Sequence, residues 1–208
     1  MIHAVLFDLD GTLIDTNELI IDSFKHTFEF FNKSIPTRED IIDCFGEPLH
    51  GTMSKFFDDG EQAVKVYREF NLKYHDERID SYGNAKEMLK ALKDKGIKLG
   101  IVTSKNKNTA IRGLKKCDLI DYFEVLVTSD DVEKHKPNKE PVLKACESLG
   151  VEPKNTLMVG DSIVDILSGK NAGSKTCGVL YSLMSEKLLK EEADYYIEDL
   201  MDLVDVVK

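Results

Sequence analysis

The spacing of hydrophobic residues follows two different patterns along this chain, and the pattern changes near residue 82. The apolar run at residues 2–7 predicts a short buried strand. Within residues 15–81 the apolar residues instead recur at helical spacing, as Phe24 and Phe28 do. Beyond residue 82, helical segments alternate with short apolar runs, which is typical of βαβ units around a mostly parallel sheet.

Capping and turn residues place the ends of these elements. Asp15 and Glu18 have the spacing of a capping box, with Asp15 as the cap and Glu18 reaching back to it. Thr37 opens a second helix, and a third, longer helix carries Ala63 and Tyr67 on one face. The later elements are predicted as strands at residues 98–103, 124–128, 156–159, 175–180 and 195–197, alternating with helices at residues 84–95, 108–117, 139–149 and 163–171.

The order of these elements predicts an α/β core that is interrupted after its first strand by a helical insertion. Residues 1–14 and 82–208 would form the core domain, and residues 15–81 the all-helical one. The chain would pass between the two near residues 14–16 and 80–83. In open α/β sheets, ligands bind at the carboxyl ends of the strands, so polar residues should converge there.

Composition and charge narrow the range of partners. The 208 residues suffice for one core or for a core with a small second domain. The net charge of −10, without a basic patch, argues against nucleic acid and anionic membranes as partners. The four cysteines form no CxxC motif, and the N-terminus does not resemble a signal peptide, so we expect reduced thiols and a cytoplasmic location. We also expect a monomer.

Two acids, Asp8 and Asp10, stand where the first strand should end. At the two-residue period of a strand, both side chains point to the same side, as a metal ion or a reacting group between them requires. Gly11 then allows the chain to turn sharply. The alternative is an ordinary solvated turn, since Asp and Gly are common turn residues.

A second pair of acids, Asp161 and Asp165, follows the strand at residues 156–159. Their spacing of four places both on one face of a helix start. Asp165 also fits a capping box with Ser162, and both of its roles are possible together. Several carboxylates on one rim are unfavourable without a cation, and Mg²⁺ suits oxygen ligands of this kind.

Two further segments bring a hydroxyl and an amine to the same rim. The strand at residues 98–103 ends in Thr103 and Ser104, and Lys136 lies in the loop after the next strand. Pro137 biases Lys136 towards an extended conformation, from which its side chain can reach inward. The alternative for Lys136 is a solvated surface lysine. We favour a role in the site, because a cation there would offset the carboxylates and bind an anion.

Taken together, the motifs resemble those of the haloacid dehalogenase-like superfamily. The four are DxDGT at residues 8–12, the hydroxyl of Thr103, the lysine of HKP at residues 135–137, and GDSxxD at residues 160–165. The resemblance implies a Rossmann-like three-layer α/β core with a mostly parallel sheet, plus an inserted all-helical cap domain. The insertion is similar to the cap of the branch that contains phosphoglycolate phosphatase and β-phosphoglucomutase.

The resemblance also implies a role for each motif. Asp8 would be the nucleophile that forms an aspartyl phosphate, and Asp10 the general acid and base. Lys136 would neutralise the nucleophile and the phosphate. The predicted ligands of Mg²⁺ are Asp8, the backbone carbonyl of Asp10, Asp161 and, directly or indirectly, Asp165. The predicted substrate-binding residues are Thr12, Thr103, Ser104 and Lys136, together with Glu47 and His26 from the cap.

The leaving group is harder to predict. Gly160 stands where β-phosphoglucomutases have Glu, which favours a phosphatase, and Asp10 argues against a dehalogenase. Residues 16–27, 45–49, 67–71 and 130–143 are similar to the bacterial inorganic pyrophosphatases linked to HPr serine dephosphorylation. We therefore expect a Mg²⁺-dependent phosphohydrolase acting on a small charged phosphate, with inorganic pyrophosphate first. The alternatives are 2-phosphoglycolate as substrate, a β-phosphoglucomutase-like phosphotransferase, and a non-enzymatic phospho-acceptor.

Overall fold

The centre of the fold is a strand, β1 (Ala4–Phe7), whose four residues are all buried. A computed structural model describes residues 1–190 and 192–207. Parallel strands extend the sheet on both sides of β1, in the order β5-β4-β1-β6-β7-β8. The outer strands are β4 (Lys98–Val102), β5 (Val125–Val127), β6 (Thr156–Gly160), β7 (Lys175–Val179) and β8 (Tyr195–Ile197). All five lie where the sequence predicts strands.

Helices cover both faces of this sheet, because its strands are apolar on both sides. Val5, Phe7 and Leu9 belong to one hydrophobic cluster, and Ala4 and Leu6 to another on the opposite face. The helices of this part are α5 (Ala85–Asp94), α6 (Lys107–Lys116), α7 (Glu140–Leu149), α8 (Ile163–Ala172), α9 (Ser185–Leu188) and α10 (Leu203–Val206). The result is the mostly parallel α/β sheet that the alternating pattern predicts, in the three-layer arrangement that the family resemblance implies.

The inserted segment between the first strand and residue 82 is helical and has a hydrophobic cluster of its own, which includes Phe24, Phe28 and Met53. Its helices are α1 (Asn17–Phe30), α2 (Arg38–Ile42), α3 (Leu49–Phe56) and α4 (Gly60–Arg78). The sequence predicted three helices and missed α3, which begins directly after Pro48. The segment joins the core through a two-stranded antiparallel ribbon of β2 (Ile14–Asp15) and β3 (Asp80–Ser81). The boundaries at residues 14–15 and 81–82 stay a prediction.

The capping box predicted at the start of α1 does not form. Asp15 belongs to the ribbon, where it is paired with Asp80, so it lies one residue too early to cap the helix. Its carboxylate accepts a hydrogen bond from the backbone N–H of Asn17 at 3.1 Å. Glu18 is turned away and binds Arg38 of α2, with one N–H···O distance of 3.0 Å.

Three contacts hold the helical segment against the core. Arg112 of α6 donates from Nε and Nη2 to the two carboxylate oxygens of Asp76 on α4, at 2.9 and 3.0 Å. The hydroxyl of Ser104 donates to the carbonyl of Gly46 at 3.0 Å. Lys187 forms an ion pair with Asp43. The loops that follow β4 therefore touch the helical segment directly. Within the described residues, no helix is both long enough and apolar enough to cross a membrane.

Candidate active site

A cavity of about 310 Å³ lies between the carboxyl ends of the strands and the helical segment. Its core side is lined by Asp8, Asp10, Thr103, Ser104 and Asp161. Its other side consists of residues from α1, α3, α4 and the loop before α3, namely Asn17, Ile20, Phe24, Glu47, His50, Tyr67, Arg68 and Asn71 among others. Polar residues therefore converge at the strand ends, as expected, and the helical segment covers them.

Asp8 is held at the end of β1 by a buried lysine. Nζ of Lys136 lies 2.6 Å from Oδ1 of Asp8 and 3.2 Å from the carbonyl oxygen of Val102. The side chains of Asp8 and Lys136 are only 9% and 2% exposed. Burial, together with the charge of neighbouring Asp165, raises the pKa of Asp8 to about 7 against the opposing effect of Lys136. Lys136 is thus the inward-reaching lysine that the sequence analysis favoured over a surface one.

Asp165 forms the predicted capping box and also binds Lys136, while its role in holding a metal ion stays a prediction. Its Oδ1 accepts from Nζ of Lys136 at 2.6 Å, and its Oδ2 accepts from the backbone N–H of Ser162 at 3.1 Å in a capping box. Burial disfavours a charged lysine, yet Asp165 and Asp8 outweigh that effect, so the pKa of Lys136 is raised. The Ser162 N–H fixes the Asp165 carboxylate through Oδ2, and Oδ1 then holds the Lys136 ammonium in place.

Gly160 lies at the end of β6 under the Asp165 side chain. A Cβ atom added at Gly160 would overlap Cβ, Cγ and Oδ2 of Asp165. The structure therefore has no room for the glutamate that β-phosphoglucomutases carry at this position, unless Asp165 moves.

Three buried carboxylates, those of Asp8, Asp161 and Asp165, each offer an oxygen within 4.8 Å of the others. Burial and the charges of Asp8 and Asp165 raise the pKa of Asp161 well above its usual range. Such a cluster is unfavourable when all members are ionised, and a bound hard cation removes the repulsion. Oxygen donors of this type fit Mg²⁺. The donor set therefore fits a divalent cation, with Asp8 and Asp161 as the carboxylates that also line the cavity.

Two neighbours fix the carboxylate of Asp161. The hydroxyl of Ser182, which follows β7, donates to its Oδ2 at 2.7 Å. On the other side, Gly11 has a positive φ of 81°, and a Cβ atom at this position would overlap the Asp161 carboxylate. The glycine of the first motif therefore does more than allow a turn, because it also leaves space for a carboxylate from the fourth motif.

Asp10 stands at the edge of the cavity, and two donors reach the same oxygen of its carboxylate. Oγ1 of Thr16 donates to Oδ1 at 2.9 Å, and Nζ of Lys105 lies 2.7 Å from that atom. The sequence analysis missed both donors. Lys105 directly follows Thr103 and Ser104, so its nearness in the chain to a predicted strand end was the available signal. Thr16 gave none, because its contact depends on the path of the ribbon.

The segment after β4 is ordered by its own hydrogen bonds. Oγ1 of Thr103 accepts from the backbone N–H of Lys105 at 3.1 Å. Both Thr103 and Ser104 line the cavity, as predicted for binding residues, although the Ser104 hydroxyl is engaged with Gly46. Glu47 also lines the cavity and forms a 2.6 Å ion pair with Lys55.

Three predicted substrate-binding residues, Thr12, His26 and Lys136, are not among the cavity-lining residues. Of these, Lys136 contacts Asp8, which does line the cavity. The Thr12 side chain is fully buried, and among the described residues its hydroxyl has no hydrogen-bond partner. The imidazole of His26 stacks on Phe70, with 4.5 Å between ring centroids. His26 belongs to the packing between α1 and α4, away from the cavity. The roles assigned to the remaining site residues stay predictions.

Comparison with known proteins agrees with the four motifs. A model of the haloacid dehalogenase-like hydrolase family matches residues 5–179. This chain belongs to that family. The resemblance inferred from the motifs at residues 8–12 and 160–165 is thereby confirmed, as is the α/β fold class that it implied.

Two relatives that are similar along the whole chain carry the same name. Pyrophosphatase PpaX of Halalkalibacterium halodurans is 45% identical, over 99% of this chain and 97% of the relative. A protein of Clostridium perfringens, for which the same name is provisional, is 48% identical over 100% and 98%. Among solved structures, a haloacid dehalogenase-like family hydrolase from Streptococcus pneumoniae matches with a TM-score of 0.88 and 22% identity, covering 100% of this chain and 99% of that one. At this identity the structural match supports the fold alone.

Proposed function

We propose that the protein is a Mg²⁺-dependent inorganic pyrophosphatase that works through a phosphorylated Asp8. The observation that carries the proposal is the buried Lys136–Asp8 pair, whose Asp8 lines the cavity between the strand ends and the helical segment, with Asp10 two residues further on. The names of the relatives at 45% identity add the substrate. A cavity of about 310 Å³ is at the low end of ligand pockets, roughly 300–1,000 Å³, and suits a compact substrate.

Each step of the proposed reaction uses a residue that the structure places at the cavity. A carboxylate oxygen of Asp8 attacks the near phosphorus, and the bond from that phosphorus to the bridging oxygen breaks. Asp10, as an acid, gives its proton to the bridging oxygen, so hydrogen phosphate leaves. Asp10, now a base, takes a proton from water as the water oxygen attacks the aspartyl phosphate. A second phosphate is released and free Asp8 returns.

Lys136 and the hydroxyl of Thr103 orient the near phosphate. Lys136 spreads its charge over Asp8 and Asp165 and keeps the nucleophile in one orientation. Thr103 and the Ser104 amide lie where they can hold phosphoryl oxygens. Asp8 and Asp161 would hold Mg²⁺, with the Asp10 carbonyl as a further predicted ligand. When bound, the cation supplies charge neutralisation at the transferring phosphoryl group.

The central experiment compares kcat/KM for pyrophosphate, 2-phosphoglycolate and β-glucose 1-phosphate with saturating Mg²⁺. The proposal requires pyrophosphate to be the best of the three substrates. Asp8→Asn should abolish turnover of all three, because it removes the attacking carboxylate. The matched control is Asp15→Asn, since Asp15 is exposed in the ribbon and should tolerate the change. Preference for 2-phosphoglycolate would overturn the substrate, and an active Asp8→Asn variant would overturn the mechanism.

Three further expectations go with this proposal. The substrate is a small phosphorylated compound, which excludes nucleic acid and membranes as principal partners. We also propose a cytoplasmic location and a monomer. Size-exclusion chromatography with light scattering tests the oligomeric state directly.

A further inference from the structure

We propose that Lys105 binds the leaving group. The site is therefore suited to phosphates whose leaving group carries negative charge on atoms other than the bridging oxygen. The inference rests on the proposed function, because it assumes that Asp8 and Asp10 act on opposite sides of the bond that breaks. Pyrophosphate belongs to this class, since its leaving group is a second phosphate. Phosphate esters of neutral alcohols do not.

The first argument is the position of Lys105. A general acid must come within about 3 Å of the oxygen that it protonates. Nζ of Lys105 lies 2.7 Å from Oδ1 of Asp10, and the oxygen of Asp10 that carries the proton comes within about 3 Å of the bridging oxygen of a bound substrate. Lys105 therefore lies on the leaving-group side of the bond that breaks, where a second phosphate would extend.

The second argument is the balance of charge around the cavity. Lys136 is engaged by Asp8 and Asp165, on the nucleophile side, and Glu47 has its own partner in Lys55. Among the residues lining the cavity, Lys105 and Arg68 carry permanent positive charge. A leaving phosphate that gains charge as the bond breaks needs a cation on its own side, and Lys105 is the one already beside Asp10.

The third argument is that Lys105 is held in place before any substrate binds. Its backbone N–H donates to Oγ1 of Thr103 at 3.1 Å, and its carbonyl accepts from Ser129 at 3.1 Å. Its side chain is only 13% exposed. A side chain fixed in this way loses little conformational entropy on binding an anion.

Asp10 does not depend on Lys105 alone for its orientation. Thr16 donates to the same Oδ1 at 2.9 Å, and its own side chain is buried. The lysine ammonium has three N–H donors and uses one of them on Asp10. It can therefore add bonds to a leaving phosphate while Asp10 stays in place. This separates two roles for Lys105, reception of the leaving group and positioning of the acid, which experiment can distinguish.

The test measures binding and turnover in Lys105→Met, Lys105→Arg and the matched control Lys107→Met, all with saturating Mg²⁺. Lys107 is exposed two residues further along and does not line the cavity. The binding probe is methylenediphosphonate, a pyrophosphate analogue with a carbon bridge. Its dissociation constant is measured by calorimetry. The substrates are pyrophosphate, phenyl phosphate and p-nitrophenyl phosphate. The last two have neutral parent alcohols, and the nitrophenolate leaves without needing an acid.

The expected result is selective. Loss of a hydrogen bond between charged groups should weaken methylenediphosphonate binding in Lys105→Met by about 10- to 100-fold, with a similar loss in kcat/KM for pyrophosphate. Both phenyl esters should change by less than about threefold, and Lys105→Arg should recover most of the loss because it restores the charge. Lys107→Met should match the wild type in every measurement.

Several outcomes would overturn the inference. Unchanged methylenediphosphonate binding in Lys105→Met is one. An equal loss of pyrophosphate and phenyl phosphate turnover, with p-nitrophenyl phosphate spared, is another, because it would mean that Lys105 acts only through Asp10. A failure of the proposed function looks different, since the wild-type protein itself would then prefer a phenyl ester to pyrophosphate. Circular dichroism of each variant confirms that the fold is retained.

Discussion

Replacing Lys136 with Met should destabilise the protein strongly, and by an amount that depends on pH. In the wild type, Nζ of Lys136 is 2.6 Å from both Asp8 and Asp165, and all three side chains are at most 9% exposed. The change leaves two buried carboxylates without their cation. Removing one partner of a buried ion pair costs about 3–5 kcal/mol, and we expect a loss in this range at pH 8.

The pH dependence follows from the direction of the pKa shift. Even with Lys136 present, burial raises the pKa of Asp8 to about 7, above the value of an unfolded chain, near 4. Lys136 opposes this effect, so without the lysine the pKa of Asp8 rises further. A folded state that holds protons more tightly is favoured at low pH, and its stability is lost as pH rises through the folded pKa. The deficit of Lys136→Met should therefore shrink between pH 8 and pH 5, by at most about 1.4 kcal/mol per pH unit and proton.

Urea unfolding followed by circular dichroism, at pH 5 and pH 8 in buffer with a chelator, measures this difference. Lys134→Met is the matched control, because Lys134 is exposed in the same loop and should unfold like the wild type at both values. The reasoning is refuted if Lys136→Met is as stable as the wild type at pH 8. It is refuted equally if the deficit is the same at both pH values.

Three other substitutions test separate parts of the structure. Burial lowers the pKa of His75, so the folded state resists protonation, and the free energy of unfolding should fall as pH drops below about 6.5. Urea unfolding of His75→Gln should show a smaller fall over the same pH range, and a fall equal to that of the wild type would contradict this. Gly11→Ala should weaken Mg²⁺ binding in calorimetry, because its Cβ atom would displace Asp161; unaltered affinity would show that the cation does not use Asp161. Phe28→Ala should lower the free energy of unfolding by about 3–5 kcal/mol, measured in urea, since the ring is 4% exposed and packs on Phe57; a loss below about 1 kcal/mol would mean that the site collapses without a cavity.

The core of the fold was predictable because its signals are local. A buried parallel strand needs a continuous apolar run, and β1 and β6 have one, each followed at once by an acid, Asp8 or Asp161. Parallel strands place their carboxyl ends on one edge, so the meeting of these acids follows from the topology alone. The meeting of Asp8, Asp10 and Asp161 at one edge of the sheet was therefore predictable from the sequence, while their roles in a reaction stay predictions.

The parts that were missed depend on contacts between distant segments. Nothing near His26 in the chain indicates that its ring stacks on Phe70. Likewise, the contact between Thr16 and Asp10 exists because the ribbon passes beside the strand end. Helix α3 was missed because it is short and begins beside Gly46 and Pro48, two residues that usually mark loops. The cap residues that line the cavity are accordingly the least predictable part of the site.

The space under Asp165 has an evolutionary consequence. A glycine codon becomes a glutamate codon by one nucleotide substitution, so a lineage of this protein meets Gly160→Glu often. The Cβ atom of the new residue would collide with Asp165, and Asp165 in turn binds the Lys136 that contacts Asp8. We expect such mutants to lose activity before they gain any transferase chemistry. A route towards a mutase would have to replace or move Asp165 first, which makes the order of substitutions, and not their number, the barrier.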